Sequence, residues 1–460
     1  MIFSSFTFLF RFLPIVVLLY YCLPIRFRNG WLFLSSLFFY AWGEPKYSIL
    51  LIVSIFMNYC FGIGIQKFIE KNKKRAKMIM TSAVCINILL LCVFKYASMF
   101  VPNLNIIMPI GISFYTFQGV SYLVDVYRGD AKAQNNIISF GTYIAMFPQL
   151  IAGPVVRYQT IEQQLVHRHD KHRIDGAQMA NGIRRLIVGL GKKVILANNV
   201  GAIWAQILAM EQTHWNVCNT WIAVIAFTLQ IYFDFSGYSD MAIGLAELFG
   251  FQLEENFNYP YQSNSITEFW RRWHISIGTW FREYAYIPLG GNKKGVWRHI
   301  GNILIVWGLT GLWHGASINF LIWGLYYGLL LIIEKYLLNN ILKKIPVIFT
   351  RLYTMLFVGF GWVLFEITNI GQLKLFVTAM FGRNGMGWQS EQTMYLISIN
   401  GIFMLLCMLG ATELPKKIWK KAQCYKGMLV IQSFCYLVVF VVSIAYMMQA
   451  SYNPFLYFRF

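Results

Sequence analysis

Twelve apolar runs, most of them close to the ~20 residues that cross a bilayer as helix, dominate this 460-residue chain. They fall at roughly 6–24, 31–43, 47–66, 78–100, 106–126, 214–235, 238–251, 299–313, 316–337, 346–366, 393–410 and 428–448. The runs are continuous rather than alternating, which excludes a β-barrel. Charged residues make up 13% of the chain, where a soluble domain carries about 25%. The pattern predicts an all-α polytopic membrane protein. Two runs, 31–43 and 238–251, are short for a full crossing and read as tilted or re-entrant. The stretch 136–156, "NIISFGTYIAMFPQLIAGPVV", contains Pro148 and reads as entering and returning on one side.

The net charge of +20 could suggest nucleic acid, but the basic residues collect in short loops. That is the orientation signal of a membrane protein, and no basic patch stands apart from it, so no nucleic-acid partner is expected. The loop 67–77, "KFIEKNKKRAK", marks the cytoplasmic side, and both termini then fall outside. The apolar start, "MIFSSFTFLFRFLPIVVLLYYCLP", reads as a first transmembrane helix rather than a removed signal. Eight cysteines (22, 60, 85, 92, 218, 407, 424 and 435) lie mostly in apolar runs without C-x-x-C spacing and read as packing residues.

Residues 157–212 are polar, then amphipathic, with Arg184, Arg185, Lys192 and Lys193 among apolar neighbours. They read as helices in the cytoplasmic interface, holding either anionic headgroups or an anionic acyl donor. The histidines of "VHRHDKH" (167, 169 and 172) are closely spaced, but no metal site is expected there or elsewhere.

Chemistry concentrates in two places. In the 34 residues from Ile300 to Ile333, His314 is the only ionisable side chain apart from two tyrosines. Such a group at membrane depth is a functional-site hypothesis by default, against the plain alternative of a histidine satisfied by a backbone carbonyl. The second place is "NYPYQSNSITEFWRRWHISIGTWFREYAYIPLGGNKKG" (258–295), dense in Trp, Tyr and Arg, where His274 follows "WRRW". There the alternative is an interfacial aromatic belt. No G-x-S-x-G elbow and no Walker loop occurs, so serine-nucleophile acyl transfer and nucleotide-driven transport are unsupported.

The blocks "EFWRRWHISIGTWFREYAYIPLGGNKKG" and "LTGLWHGASINFLIWGLYYG" resemble the membrane-bound O-acyltransferase family, in the branch of the alginate O-acetyltransferase membrane subunit. "MPIGISFYTFQGVSYLVDVYRG", "FPQLIAGPVVRY", "QIYFDFSGYSDMAIGLAELFGF" and the ending "NPFLYFRF" support it in family order. The resemblance implies a single domain over 1–460: a bundle of about 10–12 transmembrane helices with re-entrant and interfacial helices around a through-membrane channel. Within it, 252–298 would form a cytoplasmic-side motif region and 299–337 a hairpin carrying the catalytic histidine. It implies His314 as the invariant catalytic histidine and His274 as the second, cytoplasm-facing one.

The implied reaction takes an acetyl group from a cytoplasmic thioester, acetyl-CoA, and passes it to a hydroxyl outside, with no bound cofactor. The acceptor would be an envelope or exported polysaccharide, or an extracellular or periplasmic esterase-like partner that delivers the group. The location implied is the bacterial cytoplasmic (inner) membrane. An imidazole suits this chemistry, because its unperturbed pKa near ~6.5 lets it take a hydroxyl proton at neutral pH. Trp313, Asp234, Tyr238, Asp240, Asn256 and Asn258 stand as candidates for lining a channel or orienting a histidine. Their plain alternative is binding helix ends and one another. Competing functions are D-alanyl or lipid acyl transfer within the same superfamily, and a transporter or channel without covalent chemistry.

Overall fold

The computed structural model describes residues 2–101, 107–151, 153–166, 176–422, 425, 427–449 and 455–456. Among them the chain is helical, with no strand. Eight helices are long and apolar enough to cross a membrane: Ser48–Ile69, Lys73–Met99, Gly176–Leu208, Val217–Leu248, Ile318–Leu342, Val347–Glu366, Glu391–Gly410 and Met428–Gln449. Two shorter apolar helices are Phe8–Cys22 and Ile370–Met380. The chain is thus an all-α, multi-pass membrane protein. Its helix starts are written locally: Asn72, Asn136, Ser265, Asn369 and Ser390 each accept a backbone N–H of the first turn through their side chains.

Three segment boundaries differ from the apolar pattern. Residues 214–235 and 238–251 are one helix, Val217–Leu248, running through Gly237. A single interior glycine costs only ~1 kcal/mol against alanine, too little to break a well-packed helix. Here it also serves packing, because a Cβ at Gly237 would meet the Gly189 carbonyl. The run 31–43 begins earlier, as Ile25–Gly43, with Arg26 and Arg28 in its first turn. The stretch expected to lie in the interface holds the continuous Gly176–Leu208 helix, whose length and hydropathy suit a crossing. Two of its cations are met by partners that the sequence does not show as neighbours: Arg185 pairs with Asp240 and Glu255, and Lys193 with Asp234. His167, His169, His172 and Cys424 lie outside the described residues.

The helices group into two compact units. The first comprises Met1–Ile187, Tyr238–Glu255 and Thr279–Ala285. Its helices Ser48–Ile69, Lys73–Phe100 and Ile112–Arg128 pack mutually, and Asn58 and Asn87 exchange side-chain amide hydrogen bonds between the first two. The stretch containing Pro148 is broken, as Ile137–Ala145 and Phe147–Leu150, and residues 139–151 are buried. Protein covers the interrupted backbone, as an apolar medium requires.

The second unit comprises Val188–Gly237, Asn256–Gly278 and Tyr286–Phe460. Its centre is a helical hairpin, Val296–His314 and Ile318–Ile333, with Val347–Glu366 and Ile266–Arg272 packed on the second arm. The arms touch backbone to backbone: a Cβ at Gly311 would strike the Phe320 carbonyl, and one at Gly324 the Trp307 carbonyl. His314 is the last residue of the first arm, at the apex.

Candidate active site

Short-range chemistry places each wall of the site. Helix Ile266–Arg272 is held at its start by two carboxylates and a hydroxyl. Ser265 Oγ accepts the Glu268 N–H at 3.0 Å, while the buried Glu334 accepts Ile266 N–H, Thr267 N–H at 2.8 Å and the Thr267 hydroxyl at 2.7 Å. Glu268 itself accepts the Asn264 N–H at 2.8 Å. The helix stops at Arg272, and two residues on His274 takes φ = +47°, the left-handed region that side chains other than glycine seldom occupy. Strain of this kind persists only where neighbours over-determine it. The neighbours are Asn256 and its chain: the Asn256 carbonyl accepts Ile275 N–H at 3.0 Å, and Asn258 N–H donates to the Arg272 carbonyl at 2.9 Å.

Asn256 is fully buried, and its Oδ1 gathers three contacts. Ser276 N–H donates at 3.2 Å, Ser276 Oγ–H donates at 2.9 Å, and His274 Nδ1 lies 3.1 Å away. The His274 ring stands edge-on to Phe235, with centroids 4.6 Å apart. Only 2% of His274 is exposed, and burial pushes its imidazole down to about 3, so the ring is neutral.

His314 is held differently. Its ring stands at 83° to Trp323 with centroids 4.9 Å apart, and at 85° to Phe365 at 5.2 Å. Buried Trp313 lies 4.6 Å from His314 and 6.1 Å from His274, ring to ring. His274 and His314, 40 positions apart in the sequence, line one cavity of about 30 Å³ together with Asp234, Phe235, Trp323, Phe365 and Leu456. By the measure of one water per ~10–15 Å³, the space suits a group of a few heavy atoms.

A buried ion pair forms the third wall. Lys193 Nζ lies 2.5 Å from Asp234 Oδ1, both side chains being at most 3% exposed, and Leu456 N–H donates to Oδ2 at 2.8 Å. The Lys193 ammonium also sits 4.7 Å from the centre of the Phe455 ring.

The structure therefore brings together His314, His274 and Asp234 on the cavity, with Trp313 and Asn256 directly behind the histidines. Three other sequence candidates are elsewhere. Tyr238 stacks on Phe3 at 4.8 Å and Asp240 pairs with Arg185, both in the first unit. Asn258 is exposed and uses its backbone to hold Arg272. Lys193 was read from the sequence as a cation of the interface rather than of this site, and Leu456, Trp323 and Phe365 were not singled out. A lysine within an apolar helix was the one visible signal among them.

The model of the membrane-bound O-acyltransferase family matches residues 36–377. A probable alginate O-acetylase of Pseudomonas aeruginosa is 40% identical over 396 residues, covering 83% of this chain and 75% of that protein. One of Pseudomonas putida is 37% identical over the whole of both chains. A peptidoglycan O-acetyltransferase of Helicobacter pylori is 33% identical, covering 84% of this chain and 80% of its own. With these similarities, the chain belongs to the membrane-bound O-acyltransferase family and is an acyltransferase.

Proposed function

We propose that the protein O-acetylates an exported or envelope polysaccharide, directly or through an extracellular partner that delivers the acetyl group. The observation that carries this reading is the shared cavity of His274 and His314, small enough for an acetyl group and walled by aromatic rings. The names of the relatives, alginate O-acetylase and peptidoglycan O-acetyltransferase, supply the acceptor class.

In the proposed reaction the acceptor hydroxyl oxygen attacks the carbonyl carbon of a thioester, acetyl-CoA, supplied from the cytoplasm. His314 takes the hydroxyl proton as the C–O bond forms. The C–S bond breaks, and the same proton passes from His314 to the departing thiolate, so the imidazole ends neutral. His274 forms the opposite wall of the cavity. The protein works in the cytoplasmic membrane with the loop 67–77 on the donor side.

Deletion of the gene tests the function: the cell should lose base-labile acetate from one envelope polymer and regain it with the wild-type gene. An unchanged acetate content of every envelope polymer would refute it. For orientation, a cysteine at Asn72 should resist an impermeant thiol reagent applied from outside.

A further inference from the structure

The hydrogen bonds around Asn256 determine more than its position. Ser276 N–H is a backbone group that can only donate, so the Asn256 atom facing it is the carbonyl oxygen rather than the amide nitrogen. That oxygen carries no hydrogen. The contact between it and His274 Nδ1 at 3.1 Å is therefore a hydrogen bond only if Nδ1 holds the proton. A neutral imidazole has one N–H, so Nε2 then carries the lone pair. His274 lines the cavity and Asn256, which holds its Nδ1, does not, so Nε2 is the nitrogen for a group in the cavity to meet.

We infer that Asn256 is a positioning residue that locks His274 as its Nδ1–H tautomer, so that Nε2 accepts a hydrogen bond from the alcohol acceptor in the cavity. This gives the second histidine a defined duty. With a lone pair rather than a proton at Nε2, it does not donate to the oxyanion that develops on the thioester carbonyl; it holds the acceptor through a second hydroxyl, beside the one whose single proton His314 takes. Ser276 serves the same lock, because its two donors keep the Asn256 carbonyl from rotating away. The other titratable groups on the cavity are His314 and Asp234, the latter held by Lys193. The acceptor class rests on the function proposed above; the tautomer does not.

Two readouts separate these. The ¹⁵N resonances of His274 in the full-length protein in lipid, assigned by their loss in His274→Gln, report the tautomer without any substrate. A protonated Nδ1 and an unprotonated Nε2 are expected; a protonated Nε2 would overturn the inference while leaving acetyl transfer untouched. The second readout is base-labile acetate on the envelope polymer in the deletion strain. Asn256→Leu, which keeps the size and loses the acceptor, should mix the tautomers and lower acetylation about 10–100-fold, taking as a guide the cost of losing a partner that orients a metal-bound imidazole. Asn256→Asp, which restores an acceptor oxygen at the same place, should restore the Nδ1–H tautomer and recover at least part of the activity. A Leu variant that inserts normally, keeps the tautomer and acetylates as the wild type does would also overturn the inference. If instead wild-type cells show no acetylation at all, the functional reading fails and the tautomer result still stands.

Discussion

His274 is gripped by polar atoms and His314 by aromatic rings, although both line the same cavity. The polar grip fixes which nitrogen carries the proton, and burial keeps the ring neutral. The aromatic grip sets Trp323 and Phe365 at near right angles to the imidazole, and a ring that turns its face to the imidazole attracts the cation once one forms. On the proposed reaction, two like residues would thereby be sorted into two duties, one poised to accept a hydrogen bond and one to pick up and release a proton. Separation of paired groups by environment is how acid–base assignments generally arise at active sites.

The largest test of this difference is the pair of single substitutions. His314→Ala should lower acetyl transfer by ~10²–10⁴, the range for loss of a general base, with insertion and yield unchanged. His274→Gln should cost less, because an orienting contact is lost rather than the proton carrier. The double variant should match His314→Ala, since groups acting in one step are not additive. Acetate release from purified envelope polymer measures all three. A His314→Ala protein that is well inserted and near wild-type in acetylation would break the division of labour; one that fails to insert would assign the residue to packing.

The third wall yields the next effect, on stability rather than rate. Removing one member of a buried pair leaves an uncompensated charge, and Lys193→Ala or Asp234→Asn should cost ~3–5 kcal/mol. Arg185→Ala, in the partly buried set with Asp240 and the exposed Glu255, should cost less, because water reaches Glu255 when the guanidinium is gone. Denaturation in detergent compares them. The apolar double substitution Lys193→Met with Asp234→Leu should recover most of the loss, because it deletes both charges together. Equal losses for the Lys193 and Arg185 variants would remove the distinction between the two sites.

That contrast also marks where the sequence stops being informative. His314 is legible because lipid-length apolar runs rarely carry an imidazole, and His274 because it closes a dense aromatic-basic motif. Asp234 is legible from "FDFSGYSD", yet the same motif misleads about its neighbours. Asp234 and Tyr238 are one helical turn apart and should share a face, but Tyr238 turns to Phe3 and Asp240 to Arg185. The partners of Asp234 are 41 and 222 positions away, at Lys193 and Leu456, and no local period encodes them. Asn256 is visible only as a polar residue near a motif; its function lies in three converging hydrogen bonds that need the fold.

A smaller effect tests the aromatic side alone. Trp323→Leu keeps an apolar wall but removes the ring that stands at 83° to His314. If ring electrostatics favour the protonated imidazole, worth ~0.5–2 kcal/mol, the rate should fall about 2–30-fold. Phe365→Leu should act in the same direction. Acetylation by either variant at the wild-type rate would reduce these rings to packing.

The smallest effect concerns His274 and pH. In the unfolded chain its imidazole titrates near ~6.5, whereas burial holds it at about 3 in the folded protein. Between those values the unfolded chain binds a proton that the folded chain does not, so stability falls as pH drops below ~6.5 and is fully present above it. The slope is about 1.4 kcal/mol per pH unit for one proton, so lowering the pH from 6.5 to 5.5 should cost roughly 1 kcal/mol. His274→Gln removes the group and with it this portion of the acid sensitivity. Melting temperatures in detergent at pH 7.5 and 5.5 read the difference: wild type should lose more on acidification than the variant. Equal losses would mean that His274 takes up a proton in the folded state, and the contrast with His314 on which the two roles rest would disappear.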